Sequence, residues 1–284
     1  MKRTTVYILF FQLFILFTAC KKEIMSYEGK EGVYFAMRHG TNEYLPNLWP
    51  YQPFTHIDFV RMSTDEIDFP VQVMITGPSK SYDRIYRVEV NPDSTNAILG
   101  QHYEALKDQY ILPAGAVSAQ VNVRLKRTAD LEEKPVTLGL KLVATKDFAL
   151  SFPEWHSIPS LNSGTVVPQF DATLHSLYIN DVMVQPAVWS GSLQAGNRES
   201  GLFGIFSRRK MEFLAEYLGL KYEDFGAAET MPMARMMLIA SDATKVLVNR
   251  YNEGKPVLED DGRLMWMGTV PWTSYLGVPW VPGG

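Results

Sequence analysis

Histidine is the usual acid–base group and metal ligand near neutral pH. It occurs here at His39, His56, His102, His156 and His175, with no two at the i, i+3 or i+4 spacing that would put both rings on one helical face. The chain carries no H-E-x-x-H, G-x-S-x-G, G-x-G-x-x-G or P-loop pattern. No local zinc site, nucleophile elbow or nucleotide cradle is therefore encoded, and no cofactor is expected. A site drawn together from distant residues stays open at this stage.

Carboxylates come in three small groups: Asp130, Glu132 and Glu133; Glu223 and Asp224; and Glu259, Asp260 and Asp261. Glycoside hydrolysis needs two carboxyl groups ~5 to 10 Å apart across a cleft, one of them with a raised pKa. Neighbours in a polar turn do not meet that requirement, so each group reads first as a solvated turn. Oxygen-rich loops can also hold calcium, yet none of the three has the alternating aspartates and glycine of a calcium loop. The expectation is no catalytic and no metal residue.

Aromatic residues offer more. Tyr44, Trp49, Tyr51 and Phe54 stand among Pro46, Pro50 and Pro53, and Trp266, Trp272, Tyr275 and Trp280 follow near the end. Rings in a proline-stiffened loop suit stacking on a sugar or gripping a peptide, because few rotors must be immobilised. Cores and interfaces bury the same residue types. Trp49, Tyr51 and Tyr44 are the candidate ligand-binding residues, and Trp266, beside Leu264, Met265 and Met267, reads as packed.

The N-terminus carries a different chemistry. Lys2 and Arg3 precede an apolar run from Val6 to Phe17, then Thr18, Ala19 and Cys20. That order is a signal peptide over residues 1–19, with an apolar run shorter than the ~20 residues that cross a bilayer. Phe17-Thr18-Ala19-Cys20 resembles the bacterial lipobox, in which the cysteine thiol takes a diacylglyceryl group. Cys20 is the only cysteine, so internal disulfides and cysteine-based metal sites are excluded. Two or more acyl chains, at ~0.8 kcal/mol per buried methylene, would hold the chain stably on membrane lipid. A net charge of −4 argues against a nucleic-acid partner.

Residues 20–31 are polar after the lipidated cysteine and read as a tether. From 32 to 150 the dominant pattern is period two: Val71, Val73 and Ile75; Tyr86, Val88 and Val90; Val121, Val123 and Leu125; Val136, Leu138, Leu140 and Leu142. With segments 32–36, 56–62 and 109–112 this makes about seven short strands, with no helical pattern between them. An antiparallel immunoglobulin-like sandwich is expected. Prolines, Gly164 and serines in 151–170 read as a linker. The following domain, 171–284, is expected to be α+β and partly helical. Ser207 caps a helix that Gly219 stops, and a second helix opens at Thr230 and Pro232 and ends near Gly254. Its Met233, Met236 and Met237 read as core.

Two family resemblances follow. Ile98-Leu99-Gly100-Gln101-His102-Tyr103, Ile111-Leu112-Pro113-Ala114-Gly115 and Asp130-Leu131-Glu132-Glu133-Lys134-Pro135-Val136 resemble the second half of a Calx-beta or related immunoglobulin-like sandwich, which implies the fold only. The whole chain resembles Bacteroidota outer-membrane lipoproteins that carry an uncharacterised domain near starch-utilisation-like transporter genes. The shared residues are the lipobox, Glu31-Gly32-Val33-Tyr34-Phe35, Leu202-Phe203-Gly204-Ile205-Phe206-Ser207-Arg208-Arg209-Lys210 and Asp261-Gly262-Arg263-Leu264. The resemblance implies a non-enzymatic accessory of glycan or peptide uptake at the outer membrane, with the transporter and a surface binding lipoprotein as partners. A structural packing partner of the transporter complex and a hydrolase with a site assembled from distant residues are the alternatives.

Overall fold

The structure, a computed structural model, describes residues 27–40, 42, 44–158 and 164–282. The expected signal peptide and Cys20 lie outside the described residues. Among the described residues thirteen strands and two α-helices follow one another. They are β1 (Gly32–Phe35), β2 (Phe54–Asp58), β3 (Glu66–Ile75), β4 (Arg84–Val90), β5 (Tyr110–Leu112), β6 (Ser118–Lys126), β7 (Val136–Val143), β8 (Ala149–Leu150), β9 (Trp155–His156), β10 (Gln169–Phe170), β11 (Leu174–Asn180), β12 (Gly191–Gln194) and β13 (Arg198–Gly201), then α1 (Arg208–Leu218) and α2 (Met233–Asn252).

Strands with one apolar face must pair edge to edge and stack face to face. One sheet has the order β6-β3-β1-β8 and the other β2-β11-β7-β4-β5. Val71, Val73, Val121, Val123 and Leu125 from the first meet Leu138, Leu140, Leu177 and Ile179 from the second in one apolar core. The alternation is visible along β6, where Val121, Val123 and Leu125 are buried and Asn122 is exposed. The β-sandwich with a helical C-terminal part is thus the observed fold class.

Four local expectations are corrected. Strand β11 pairs with β7 through six register positions and with β2 through five, so the sandwich includes residues 174–180 and the second module begins after them, not at 171. The segment 151–170 is therefore no linker between modules. Its described residues return to the sandwich, with Ser151 N donating to Val33 O, and β10 pairs antiparallel with β9, Gln169 opposite His156. The pairing is also not wholly antiparallel, since β2–β11 and β1–β8 run parallel. The tether stops short of residue 31, because Glu31 is anchored to Lys80 at 2.6 Å and to the buried Arg84 at 3.0 Å.

The second module has its own core, from Trp189 to Val270. In α1 the Ser207 hydroxyl accepts from Lys210 N at 3.1 Å, and Gly219 ends the helix at φ +66°, as its spacing predicts. In α2 the start differs: Thr230 Oγ1 donates to Asp224 O and Ala227 O, and the helix opens at Met233 behind Pro232. Met236 is buried, whereas Met233 and Met237 are exposed. Trp266 is half-buried against the core rather than enclosed by it.

The two shared segments of this module meet inside it. Lys210 Nζ lies 2.5 Å from Glu199 Oε2 and 3.5 Å from Glu259 Oε1, and Arg263 Nη2 lies 3.2 Å from Glu199 Oε1. Ser207 Oγ donates to Glu259 Oε2 at 2.7 Å. All four charged groups are buried, Glu259 included, which the sequence places in a solvated turn. Burial pushes the Glu199 carboxyl up and the Lys210 ammonium down, against the pull each exerts on the other. Gly204 makes room: a Cβ there would fall 1.7 Å from Glu199 Oε2, and its φ of +68° disfavours a side chain. These residues form a buried, ion-paired part of the module's core.

Candidate functional site

On the first sheet, Val33 and Phe35 of β1 face the core, so Tyr34 faces outward by the pleat. Its ring is covered by aromatic residues from two returning segments. Phe152 packs at 5.0 Å, Trp155 stacks at 6.1 Å and Tyr51 lies at 6.5 Å. Tyr51 meets Trp155 edge-on at 4.9 Å. Burial and the neighbouring Tyr51 push the Tyr34 hydroxyl up to about 12, so it stays protonated. Phe152 holds φ at +59°, a conformation that costs a non-glycine residue roughly 1 kcal/mol or more and persists where packing imposes it.

Arg38 caps this aromatic nest. Its guanidinium lies 4.1 Å from the Tyr51 ring centroid, Nη2 donates to Tyr51 Oη at 2.6 Å, and Nη1 donates to Asn47 O at 2.7 Å. Beside it opens a depression of about 220 Å3 lined by Arg38, Asn47, Tyr51, Trp155, His156 and Ser157. Ring walls with a fixed guanidinium, an amide and an imidazole at the lip match the C–H face and hydroxyls of a sugar, or an aromatic peptide side chain. Among the described residues no carboxylate lines it.

The sequence candidates separate. Tyr51 joins the nest. Tyr44 is 95 % exposed and apart from it. Trp49 is half-buried, its indole N–H donating to Asn42 O at 2.6 Å. Arg38, Trp155 and His156 were not among the sequence candidates. The signal for Trp155 was the proline-flanked aromatic pattern of Phe152-Pro153-Glu154-Trp155, the same pattern that drew attention to Trp49.

Folding also gathers histidines. Thr55 Oγ1 lies 2.8 Å from His39 Nε2 and 3.0 Å from His175 Nε2. One hydroxyl proton can serve only one of the two rings, so the three groups share a single hydrogen-bond chain. Burial holds His175 down to about 3 and His39 below its usual value, leaving both neutral at pH 7. His39, Thr55 and the exposed His56 line a cleft of about 440 Å3 with Phe54 and Val167. Among the described residues no three His, Cys, Asp or Glu side chains are grouped to hold a metal ion. At the Asp130 turn, His102 Nδ1 accepts from Ile98 N, so Nε2–H donates to Asp130 Oδ2 at 2.8 Å. Thr128 and His102 hold that carboxyl near 2.

Fold and site define a β-sandwich with a helical module and an aromatic-lined depression. Residues 54–220 match a family described as a domain of unknown function (DUF4843), and the chain belongs to that family. No curated protein matches the chain. Among solved structures, it is similar to the calcium-binding domain CBD12 of CALX1.1 at 14 % identity and TM-score 0.31, over 45 % of this chain and 42 % of that one. It is similar to a protein of unknown function from Bacteroides ovatus at 11 % identity and TM-score 0.34, over 56 % and 46 %. A family 123 glycoside hydrolase from Clostridium perfringens follows at 9 % identity and TM-score 0.22, over 74 % and 35 %. The chain spans less than half the length of these three, and the fold assignment rests on the pairing of its own strands.

Proposed function

We propose that the chain is a non-enzymatic lipoprotein, held on the outer membrane by lipid on Cys20, that captures glycan or peptide as an accessory of nutrient uptake beside an outer-membrane transporter and its surface binding lipoprotein. The observation that carries the binding part is the Tyr51–Trp155–Arg38 depression, where stacking faces and fixed donors converge. The lipid part is supported by the position of the single cysteine after the apolar run. Among the described residues no helix is long and apolar enough to cross a membrane. A second reading, packing on the transporter complex, is favoured by the exposed Met233, Met237 and Leu238 on α2.

Binding is tested by affinity electrophoresis through gels containing soluble polysaccharides and by calorimetry with short peptides. Trp155→Ala should weaken capture about tenfold, the effect of ~1.4 kcal/mol, while Tyr44→Ala should leave it unchanged. Equal retention of wild type and Trp155→Ala would remove the depression from the reading. Cys20→Ser should move the chain out of the membrane fraction; unchanged partition after a high-salt wash would refute the lipid anchor.

A further inference from the structure

A groove of about 770 Å3 runs between the sandwich and the second module, within the size range of small-molecule sites and at the kind of boundary where such sites form. Its floor is apolar: Met62 from the β2–β3 connection, Met183 after β11, Met211 from α1 and Leu220 beyond it. Three thioethers contributed by separate segments make a surface that adapts to an irregular apolar body.

One end of the groove holds two arginines on a single buried carboxylate. Arg127, just past β6, donates from Nε and Nη2 to Asp181 Oδ2 and Oδ1 at 2.8 and 2.9 Å. Arg208, the first residue of α1, lies 3.4 Å from Asp181 Oδ2 and 3.1 Å from Glu132 Oε2. Asp181 is fully buried, while both guanidiniums stay partly exposed and line the groove. A guanidinium has five N–H groups, and these partners do not use them all. Two forks fixed in advance and lying along an apolar floor are suited to an acidic head group. Arg61 and Lys221 stand exposed on the same lining, against Glu212, which is drawn to Arg209 at 3.4 Å, and Glu223. Arg61, Arg127, Arg208 and Lys221 thus face Asp181, Glu132, Glu212 and Glu223, and the unused N–H groups of the Arg127–Arg208 pair are the donors left for a head group.

We infer that this groove binds an anionic amphiphile, its apolar body on the methionine floor and its carboxylate or sulfonate head on the Arg127–Arg208 pair. The site lies apart from the Tyr51–Trp155 depression and does not depend on the glycan reading.

The test uses the chain begun at Lys21, which keeps every described residue and needs no detergent. Calorimetric titration with decanoate below its micelle concentration should give one saturable site, with decyltrimethylammonium binding at least about tenfold more weakly. Ala215 is exposed on the α1 wall of the groove. Ala215→Trp should fill the space and weaken decanoate about tenfold or more without lowering the melting temperature. Arg61→Glu combined with Lys221→Glu, both on the surface, should weaken decanoate and abolish the preference over the cationic analogue; this pair decides the matter alone should Ala215→Trp fail to fold. Equal binding of the two amphiphiles, no binding of decanoate, or decanoate binding untouched by the variants would overturn the assignment.

Discussion

The sandwich and the second module bury polarity by opposite means. Between the two sheets the core is hydrocarbon and ring, and the imidazole of His175 enters it in neutral form. Its buried cation, Arg84, lies at the margin, closed over by Glu31 at 3.0 Å and by the Phe148 ring at 4.8 Å. The second module instead encloses the ionisable side chains of Lys210, Glu199, Glu259 and Arg263 in its interior, within ion-pair distance of one another. A sheet has a regular backbone to satisfy and large faces to cover, so apolar side chains alone define its register. A module of two helices, one short hairpin and irregular chain lacks that repetition. Removing four charges from water costs more than their attraction returns unless geometry is exact, but it admits one arrangement. The hypothesis for this protein is that the quartet supplies uniqueness rather than stability.

The largest expected effect breaks that quartet. Lys210→Met leaves Glu199 and Glu259 facing each other with only Arg263 between them, and should cost ~3 to 5 kcal/mol. Calorimetry should show the loss in the second module's transition, with the sandwich transition kept. A loss under ~1 kcal/mol would mean that the carboxylates take up protons or water at little cost, and that the quartet does not define this core.

The sequence made the first region legible and the second only in outline. Period two in Val121 to Leu125 and in Leu138 to Leu142 corresponds directly to buried faces, because a strand's side chains must alternate. Ser207 and Gly219 mark a helix because their chemistry acts on adjacent backbone. Strand β11 has the same alternation in His175, Leu177 and Ile179, but the prolines and serines before it read as a boundary. The place of β11 in the sheet depends instead on contacts with β2 and β7, distant in sequence. The Lys210 quartet and the Arg38–Tyr51–Trp155 nest escaped for the same reason. Each joins segments distant in sequence, and no local pattern links Glu199 to Arg263 or Tyr51 to Trp155.

A medium effect tests the sandwich side of the comparison. The folded pKa of His175 is about 3, well below its ordinary 6.5. Between those values the unfolded chain binds a proton that the folded chain refuses, so stability rises with pH across the window and is lost as pH falls below about 6.5. Urea unfolding at pH 7.5 and pH 5.0 should differ by about 2 kcal/mol from this ring, at ~1.4 kcal/mol per unit. In His175→Gln that difference should shrink. An unchanged pH response would show that the ring is protonated and paired inside the sandwich, and the two regions would then bury charge alike.

The smallest expected effect sharpens the comparison by placing an ion pair where neither core is involved. Arg124 on β6 reaches Glu66 at 2.5 Å and Asp68 at 3.0 Å across the strand pair, with all three side chains substantially exposed. Three residues on, Arg127 holds the fully buried Asp181 with comparable distances. Geometry alone would rank the two sites together, but solvation separates them. Water already serves the Arg124 trio, and holding three long side chains in place offsets what little attraction survives screening. Arg124→Gln should therefore melt within replicate scatter of wild type at physiological ionic strength. It should do so again in 1 M salt, where any residual surface attraction is removed. A clear melting loss that persists in high salt would show that this outer face of β6 is covered in solution, and that the sandwich, like the second module, depends on charges shielded from water.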